Sequence, residues 1–225
     1  MERNETVFWW IRHAPVDHGG LFYGGGSDWP AVIDEDDGLW GRLASALPAD
    51  ALWVTSGLRR ARESARAILR RYGAAAEPMV EEDFGEQRFG EWEGRGYREL
   101  DESHPREWRA FWEEPHLYCP PGGESFSDQV SRVGSAVERL VSGYSGRDIV
   151  VVCHGGTIRA AMCLALGVPL ERSFSLRVDN NSLSCTVYHC GHRYRGWRGA
   201  LGLGGGDSDG DGAGIWEVRF CNANL

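Results

Sequence analysis

The chain has 225 residues, of which 42% are apolar, and a formal net charge of −9. That length suits a single α/β domain over 1–225 with an inserted cap, and no stretch reaches the roughly 18 apolar residues that a bilayer-spanning helix needs. The negative charge argues against a nucleic-acid surface, and the polar start, Met1-Glu-Arg-Asn-Glu5, has no signal-peptide core, so a cytoplasmic protein with neither nucleic-acid nor membrane partners is expected.

Thr6–Arg12 reads as the first strand, apolar on both faces as a central parallel strand should be. A Gly-rich loop runs from Pro15 to Pro30, and Leu39, Leu43 and Leu47 have helical spacing. Ala51–Thr55 is a short strand. Ser56-Gly57 then opens a helix from Leu58 to about Tyr72, with Ala61, Ala65, Ile68 and Leu69 in one stripe and Gly73 as its stop. Pro78–Glu82 reads as a strand. Residues 84–123 differ in character, being dense in Trp, Glu and Arg and broken by prolines. They predict a cap-like insertion over the sheet's C-terminal edge, with short helices at Tyr97–Glu102 and Arg106–Glu114. A long helix over Ser127–Ser142, a strand over 149–153 and a helix over 157–166 follow. Ser182–His189 alternates and reads as an edge-type strand, antiparallel to 215–221 across a Gly/Asp-rich loop at Gly199–Gly214. The order predicts an α/β three-layer sandwich with a mainly parallel central sheet, helices on both faces and a helical cap insertion.

All 24 basic residues are arginine, a bias that Arg-favouring codon use in a GC-rich genome accounts for. Without lysine there is no Walker-type phosphate loop, no protein-kinase machinery and no Schiff base. Phosphate recognition would fall to Arg, whose planar fork suits it. The six cysteines show no C-x-x-C pairing and read as free thiols. Cys185, His189, Cys190 and His192 suggest zinc, but strand alternation splits them between two faces. Asp207–Gly212 matches only the first half of a calcium loop and reads as hairpin loop. No metal and no cofactor is expected.

Chemistry gathers at the strand ends. Arg12-His13 closes the first strand, and His154-Gly155-Gly156-Thr157 follows the strand at 149–153 and opens a helix whose N–H groups can face an anion. Ser56-Gly57-Leu58-Arg59-Arg60-Ala61 is a second strand-to-helix turn. Glu86-Gln-Arg-Phe89-Gly90-Glu91-Trp92-Glu93-Gly94 starts the insertion, and Pro121-Gly122-Gly123-Glu124-Ser125 precedes the long helix. Two histidines at strand ends suggest covalent chemistry on phosphate, with one imidazole as nucleophile.

Together these motifs, in order over about residues 6–190, resemble the histidine phosphatase (phosphoglycerate mutase-like) superfamily. The short chain and compact insertion resemble its bacterial small-phosphatase branch, which includes α-ribazole phosphatases. The family's Arg-His-Gly stands here as Arg12-His13-Ala14. The resemblance selects Arg60 over Arg59 as a phosphate ligand and Glu86 as the acid. It implies a metal-independent phosphomonoesterase for a small phosphorylated metabolite, α-ribazole phosphate among the candidates. A phosphoglycerate mutase-type phosphotransferase and a silent phosphate-binding domain are the alternatives. His13 would attack phosphorus with one ring nitrogen held by a backbone carbonyl, and His154 would donate to an equatorial oxygen. Arg12, Arg60, Gly155 and Thr157 would bind phosphate. Glu86 would supply a proton, for which its pKa should be raised.

Other residues receive weaker readings. Glu91 and Glu93 read as surface charges, and Glu124 is open between a substrate-side and a helix-capping role. Trp92, Trp108 and Trp112 read as cap packing. His18, His104 and His116 read as loop residues, while Asn180 or Asn181 would orient the surroundings of His13. Thr157 is open between capping and touching phosphate. The oligomeric state stays open, a homodimer included.

Overall fold

The computed structural model describes residues 5–34, 38–73, 77–190 and 214–225. The Gly/Asp-rich loop around 199–214, its Asp207–Gly212 run and His192 fall outside these, Gly214 excepted. Six strands, β1 (Glu5–Arg12), β2 (Leu52–Thr55), β3 (Met79–Val80), β4 (Asp148–Cys153), β5 (Leu183–His189) and β6 (Ile215–Ala223), form one sheet in the order β3-β2-β4-β1-β5-β6. The β3-β2, β2-β4 and β4-β1 pairs are parallel, while β5 is antiparallel to both β1 and β6.

Strand alternation builds the layers. Phe8, Trp10, Ile149, Val151 and Cys153 point to one face. There they meet α5 (Phe126–Gly143) and α6 (Gly155–Leu166) through Val130, Val133, Val137, Ile158 and Met162. Ile11, Val150 and Val152 point to the other face and meet α1 (Leu39–Ala46) and α2 (Arg59–Leu69) through Trp40, Leu43, Ala65 and Ile68. Each fully buried side chain of this size contributes about 1.5–3 kcal/mol. This is the expected three-layer α/β sandwich. Gly73 and Gly167 end their helical segments in the left-handed region, at φ +66° and +62°. A Ser125–Asp128 capping box starts α5.

One strand assignment needs correction. β5 is not at the edge, because β6 pairs along its outer side. The hydroxyls that make it look half-solvated are buried and bonded: Thr186 accepts from the Trp10 indole at 3.0 Å, and Ser184 accepts from the Asn222 backbone N–H at 3.0 Å.

The insertion carries α3 (Tyr97–Ser103) and α4 (Pro105–Glu113), close to the expected bounds. It packs on its own aromatic cluster, in which Trp92, Leu100 and Phe111 meet Phe22 of the Pro15–Pro30 loop and half-buried Trp108 leans on Trp92. Trp112 is 51% exposed at its rim. No helix among the described residues is long and apolar enough to cross a membrane.

Candidate active site

Register brings the two histidines together. β1 and β4 are parallel neighbours with Arg12 opposite Cys153, so the next residue on each strand, His13 and His154, emerges at the same level. The His13 N–H donates to the Cys153 carbonyl at 2.9 Å, and the ring centroids lie 5.1 Å apart. β2, on the far side of β4, ends at Thr55 and delivers Ser56 and then Arg60 in the first turn of α2. β3 leads through a short 3-10 turn to Glu86. Four parallel strands thus contribute from their C-terminal ends, as open α/β sheets do.

His13 Nδ1 lies 2.6 Å from the Ala14 carbonyl. Nδ1 must donate there, which leaves Nε2 with the lone pair that can attack. The Asn180 amide donates to the His13 carbonyl at 2.9 Å, and the Asn181 N–H to that of Arg12 at 3.0 Å. Both asparagines therefore brace this corner, Asn181 in the left-handed region. Ala14 is outside that region, and its methyl packs in the core. The Gly-to-Ala difference from the family motif leaves the backbone undisturbed.

His154 is fully buried, with Nε2 2.7 Å from Ser56 Oγ and Nδ1 without a protein partner. A Ser56 hydroxyl donating to Nε2 places the proton on Nδ1, ready for an oxyanion. Both imidazoles are held well below the ordinary value, first by burial. For His13 the further causes are His154, Arg60 and Arg12, opposed by the Ala14 carbonyl; for His154 they are Arg60, Arg12 and Arg132. Both rings are neutral at pH 7.

Arg60 turns inward and is fully buried, whereas Arg59 is exposed and pairs with Glu63. The Nη1 and Nη2 groups of Arg60 donate to the carbonyls of Ser27 and Gly24. Arg12 Nη1 donates to the Val178 carbonyl at 2.7 Å. In both residues the buried Nε has no protein acceptor. Two buried guanidinium N–H groups lacking acceptors, with the unpartnered His154 Nδ1 beside them, form an expensive arrangement that an oxyanion relieves.

Glu86 sits against the start of α6. Its carboxylate accepts from the Gly156 N–H at 3.1 Å, from the Gln87 N–H at 3.0 Å and from Gln129 Nε2 at 3.2 Å. A Cβ on Gly156 would stand 2.3 Å from Glu86 Oε1, so this contact requires glycine. The expectation of a raised Glu86 pKa is not met. Burial pushes it up, but the Gln87 N–H, Arg60, Arg12 and Gln129 together hold it below the ordinary carboxylate value.

Thr157 is spent elsewhere, its hydroxyl donating to the carbonyls of Phe84 and Gly85, each at 3.0 Å. Gly155 lies beside Arg12, 3.5 Å from its Nε when a Cβ is built. Glu93 is no surface charge: it accepts from the N–H groups of Gly24, Gly26 and Phe89 and from the Ser27 hydroxyl. Glu124 neither caps a helix nor faces the cavity. It is 4% exposed and pairs with Arg132, which also donates to the carbonyls of Asp83, Gly85 and Glu86. Sequence reasoning missed Ser56, Gln129 and Arg132. Ser56 stood inside a motif already singled out; Gln129 and Arg132 sit in a helix where only the apolar stripe carried signal.

A cavity of about 360 Å³ opens from Arg12, Glu86 and Gly156 toward the aromatic side chains of the insertion and Phe174. No cluster of His, Cys, Asp and Glu able to hold a metal occurs among the described residues.

A model of the histidine phosphatase superfamily (branch 1) matches residues 33–197, starting after Arg12-His13. A glucosyl-3-phosphoglycerate phosphatase of Mycolicibacterium vanbaalenii is 32% identical over 174 residues, 71% of this chain and 76% of that protein. A bifunctional protein of Mycobacterium tuberculosis is 35% identical over 136 residues, 60% of this chain, but the match spans only 36% of that relative. Among solved structures, a mycobacterial glucosyl-3-phosphoglycerate phosphatase shares the fold with a TM-score of 0.77 at 24% identity, over 98% of this chain and 100% of that one. A putative α-ribazole-5'-phosphate phosphatase of Escherichia coli gives 0.75 at 22%, over 97% and 96%.

Proposed function

The chain belongs to the histidine phosphatase superfamily, and we propose that it is a metal-independent phosphomonoesterase working through a phosphohistidine at His13 on a small phosphorylated metabolite. The observation that carries this reading is the pair of imidazoles 5.1 Å apart beside buried guanidinium N–H groups without acceptors.

His13 Nε2 attacks phosphorus as the P–O bond to the leaving group breaks. Arg12 Nε, Arg60 Nε and the His154 Nδ1 proton receive the charge that spreads over the equatorial oxygens. Glu86 gives its proton to the leaving alkoxide. Water then attacks the phosphohistidine, Glu86 takes a proton from it, and phosphate leaves with His13 neutral again. The low pKa of Glu86 in the free site fits this cycle. The two guanidiniums are among the groups that keep it ionised, and a bound phosphate dianion neutralises them and adds negative charge, so Glu86 takes up a proton from solvent as the substrate binds. The α-ribazole and glucosyl-phosphoglycerate phosphates belong in the substrate panel because relatives carry those names. A mutase reading rests on a phosphoglycerate mutase of Cytophaga hutchinsonii, 29% identical over 146 residues.

The test is hydrolysis of p-nitrophenyl phosphate at mildly acidic pH with EDTA present. Turnover that persists in EDTA and is lost in His13→Ala, with an acid-labile phosphoprotein trapped on rapid quenching, is the expected result. Loss of activity in EDTA, or full activity in His13→Ala, would sink it. Fast transfer between phosphoglycerates with little phosphate release would favour the mutase.

A further inference from the structure

We propose that Arg159 forms a second anion subsite beside the phosphate site, so that the leaving group of the substrate is a short-chain carboxylic acid. This rests on the phosphatase reading above. Arg159 lies one helical turn beyond Gly155 on the same face of α6. A Cβ built on Gly155 stands 3.5 Å from Arg12 Nε and 3.5 Å from Arg159 Nη1, so the two guanidiniums flank one backbone position. Both line the same cavity.

The Arg159 fork is fixed by uncharged groups. Its Nε donates to the Leu176 carbonyl at 3.0 Å, and its guanidinium carbon sits 5.2 Å from the centroid of the Phe174 ring. The phosphoryl-transfer steps do not use it. Burial penalises its charge and Glu86 is the main group that offsets it, so once Glu86 carries the proton it gives to the leaving group, a ligand anion supplies the counter-charge. Among the other polar side chains of the cavity, Gln87 is spent on the Glu124 carbonyl, Asn180 on that of His13 and His18 on that of Leu21, while Tyr23 and Tyr97 add phenol groups to the wall. A planar carboxylate matches the fork.

The experiment measures binding by calorimetry to the His13→Ala protein, with released phosphate assayed alongside to show that no ligand is turned over. The ligands are 3-phosphoglycerate, glycerol 3-phosphate (the same skeleton with CH2OH in place of the carboxylate) and the bisphosphate of propane-1,3-diol. The carboxylate should tighten binding at least about tenfold, and the advantage should fall within about threefold when Arg159→Met is added. If the Met variant does not fold, Arg159→Lys keeps the charge and loses the fork, and should cut the advantage at least about threefold. Equal binding of the first two ligands, an advantage that survives either substitution, or an Arg159-dependent gain for the bisphosphate alone overturns the proposal. Because binding needs no turnover, absent His13-dependent hydrolysis would defeat the phosphatase reading while this comparison is still scored.

Discussion

Where the parallel strands end, Arg12 and Arg60 are tied to backbone carbonyls rather than carboxylates, and their Nε atoms and His154 Nδ1 keep no protein acceptor. A few residues away, at the root of the insertion, charges are matched within the protein. Glu93 takes three N–H groups and a hydroxyl, and Glu124 is clamped by Arg132. Both regions are largely buried and both use Arg and Glu. One leaves its donors for a ligand, and the other spends them on holding loops. The difference separates residues that would touch substrate from residues that place them, and each substitution below tests on which side a residue falls.

The largest effect is expected at Arg60. Arg60→Met keeps length and removes the guanidinium, so kcat should fall about 10²–10³-fold, the range for loss of one charge-stabilising donor. It also leaves two loop carbonyls without their donors, so melting temperature should drop as well. An activity within tenfold of the parent would move Arg60 to the structural side.

Next is the Gly155–Gly156 pair. Gly156→Ala puts a methyl 2.3 Å from Glu86 Oε1 and 2.6 Å from Gln129 Oε1, so the buried carboxylate must move. A displaced general acid costs about 10²-fold or more in kcat for substrates with poor leaving groups. Substrates whose leaving group needs no proton, such as p-nitrophenyl phosphate, should suffer much less. Gly155→Ala meets only ordinary contacts at 3.5 Å and should be the milder change. Equal losses on both substrate types would disconnect Gly156 from the proton.

The contrast between the two regions also explains what could be read in advance. Residues at strand ends were legible because a strand boundary is visible as a change from apolar to polar, and topology forces neighbouring parallel strands to end together. His13 and His154 follow from that, whereas Arg60, in the first turn of α2, was singled out over Arg59 by the family resemblance. Glu93 and Glu124 were not legible, because a carboxylate in a polar loop looks the same whether it faces water or accepts four hydrogen bonds. For Glu93 the fold of the Gly24-Gly25-Gly26 loop decides it, pressed against the Glu86–Glu93 segment so closely that a Cβ at Gly25 would stand 2.4 Å from the Glu86 carbonyl, and for Glu124 the approach of Arg88 and Arg132 does. Likewise β5 looked like an edge because its hydroxyls find their partners in Trp10 and Asn222, far away in sequence.

Glu93→Gln carries this to a smaller effect. A Gln amide offers one acceptor oxygen where four donors converge, so the loop at 24–27 loosens, and with it the carbonyls that fix Arg60. A loss of about 1–3 kcal/mol in stability is expected, with kcat reduced about tenfold through misplacement of a charge-stabilising donor. Glu93→Asp, which keeps the charge, should recover part of both. Unchanged kcat together with reduced stability would show that the loop does not position Arg60.

The last effect is purely thermodynamic and comes from the imidazoles. His13 and His154 stay neutral in the fold well below the ordinary imidazole value, whereas in the unfolded chain they charge near pH 6.5. Between those limits the unfolded state binds more protons, so stability rises with pH. Their contribution is complete above pH 6.5 and is lost as pH falls toward the folded values. The slope is about 1.4 kcal/mol per pH unit for each imidazole once its unfolded form is protonated. Glu86, also depressed, adds a loss of the same sign at lower pH, below the ordinary carboxylate value. Denaturant midpoints measured from pH 8 to pH 5 should therefore stay level and then fall below about 6.5. His154→Asn, which removes one titrating ring, should lower the overall midpoint yet flatten that fall. If the acid slope is the same with and without the ring, the buried imidazoles are not what destabilises the protein in acid, and the neutral, nucleophile-ready state assigned to this corner would lose its thermodynamic support.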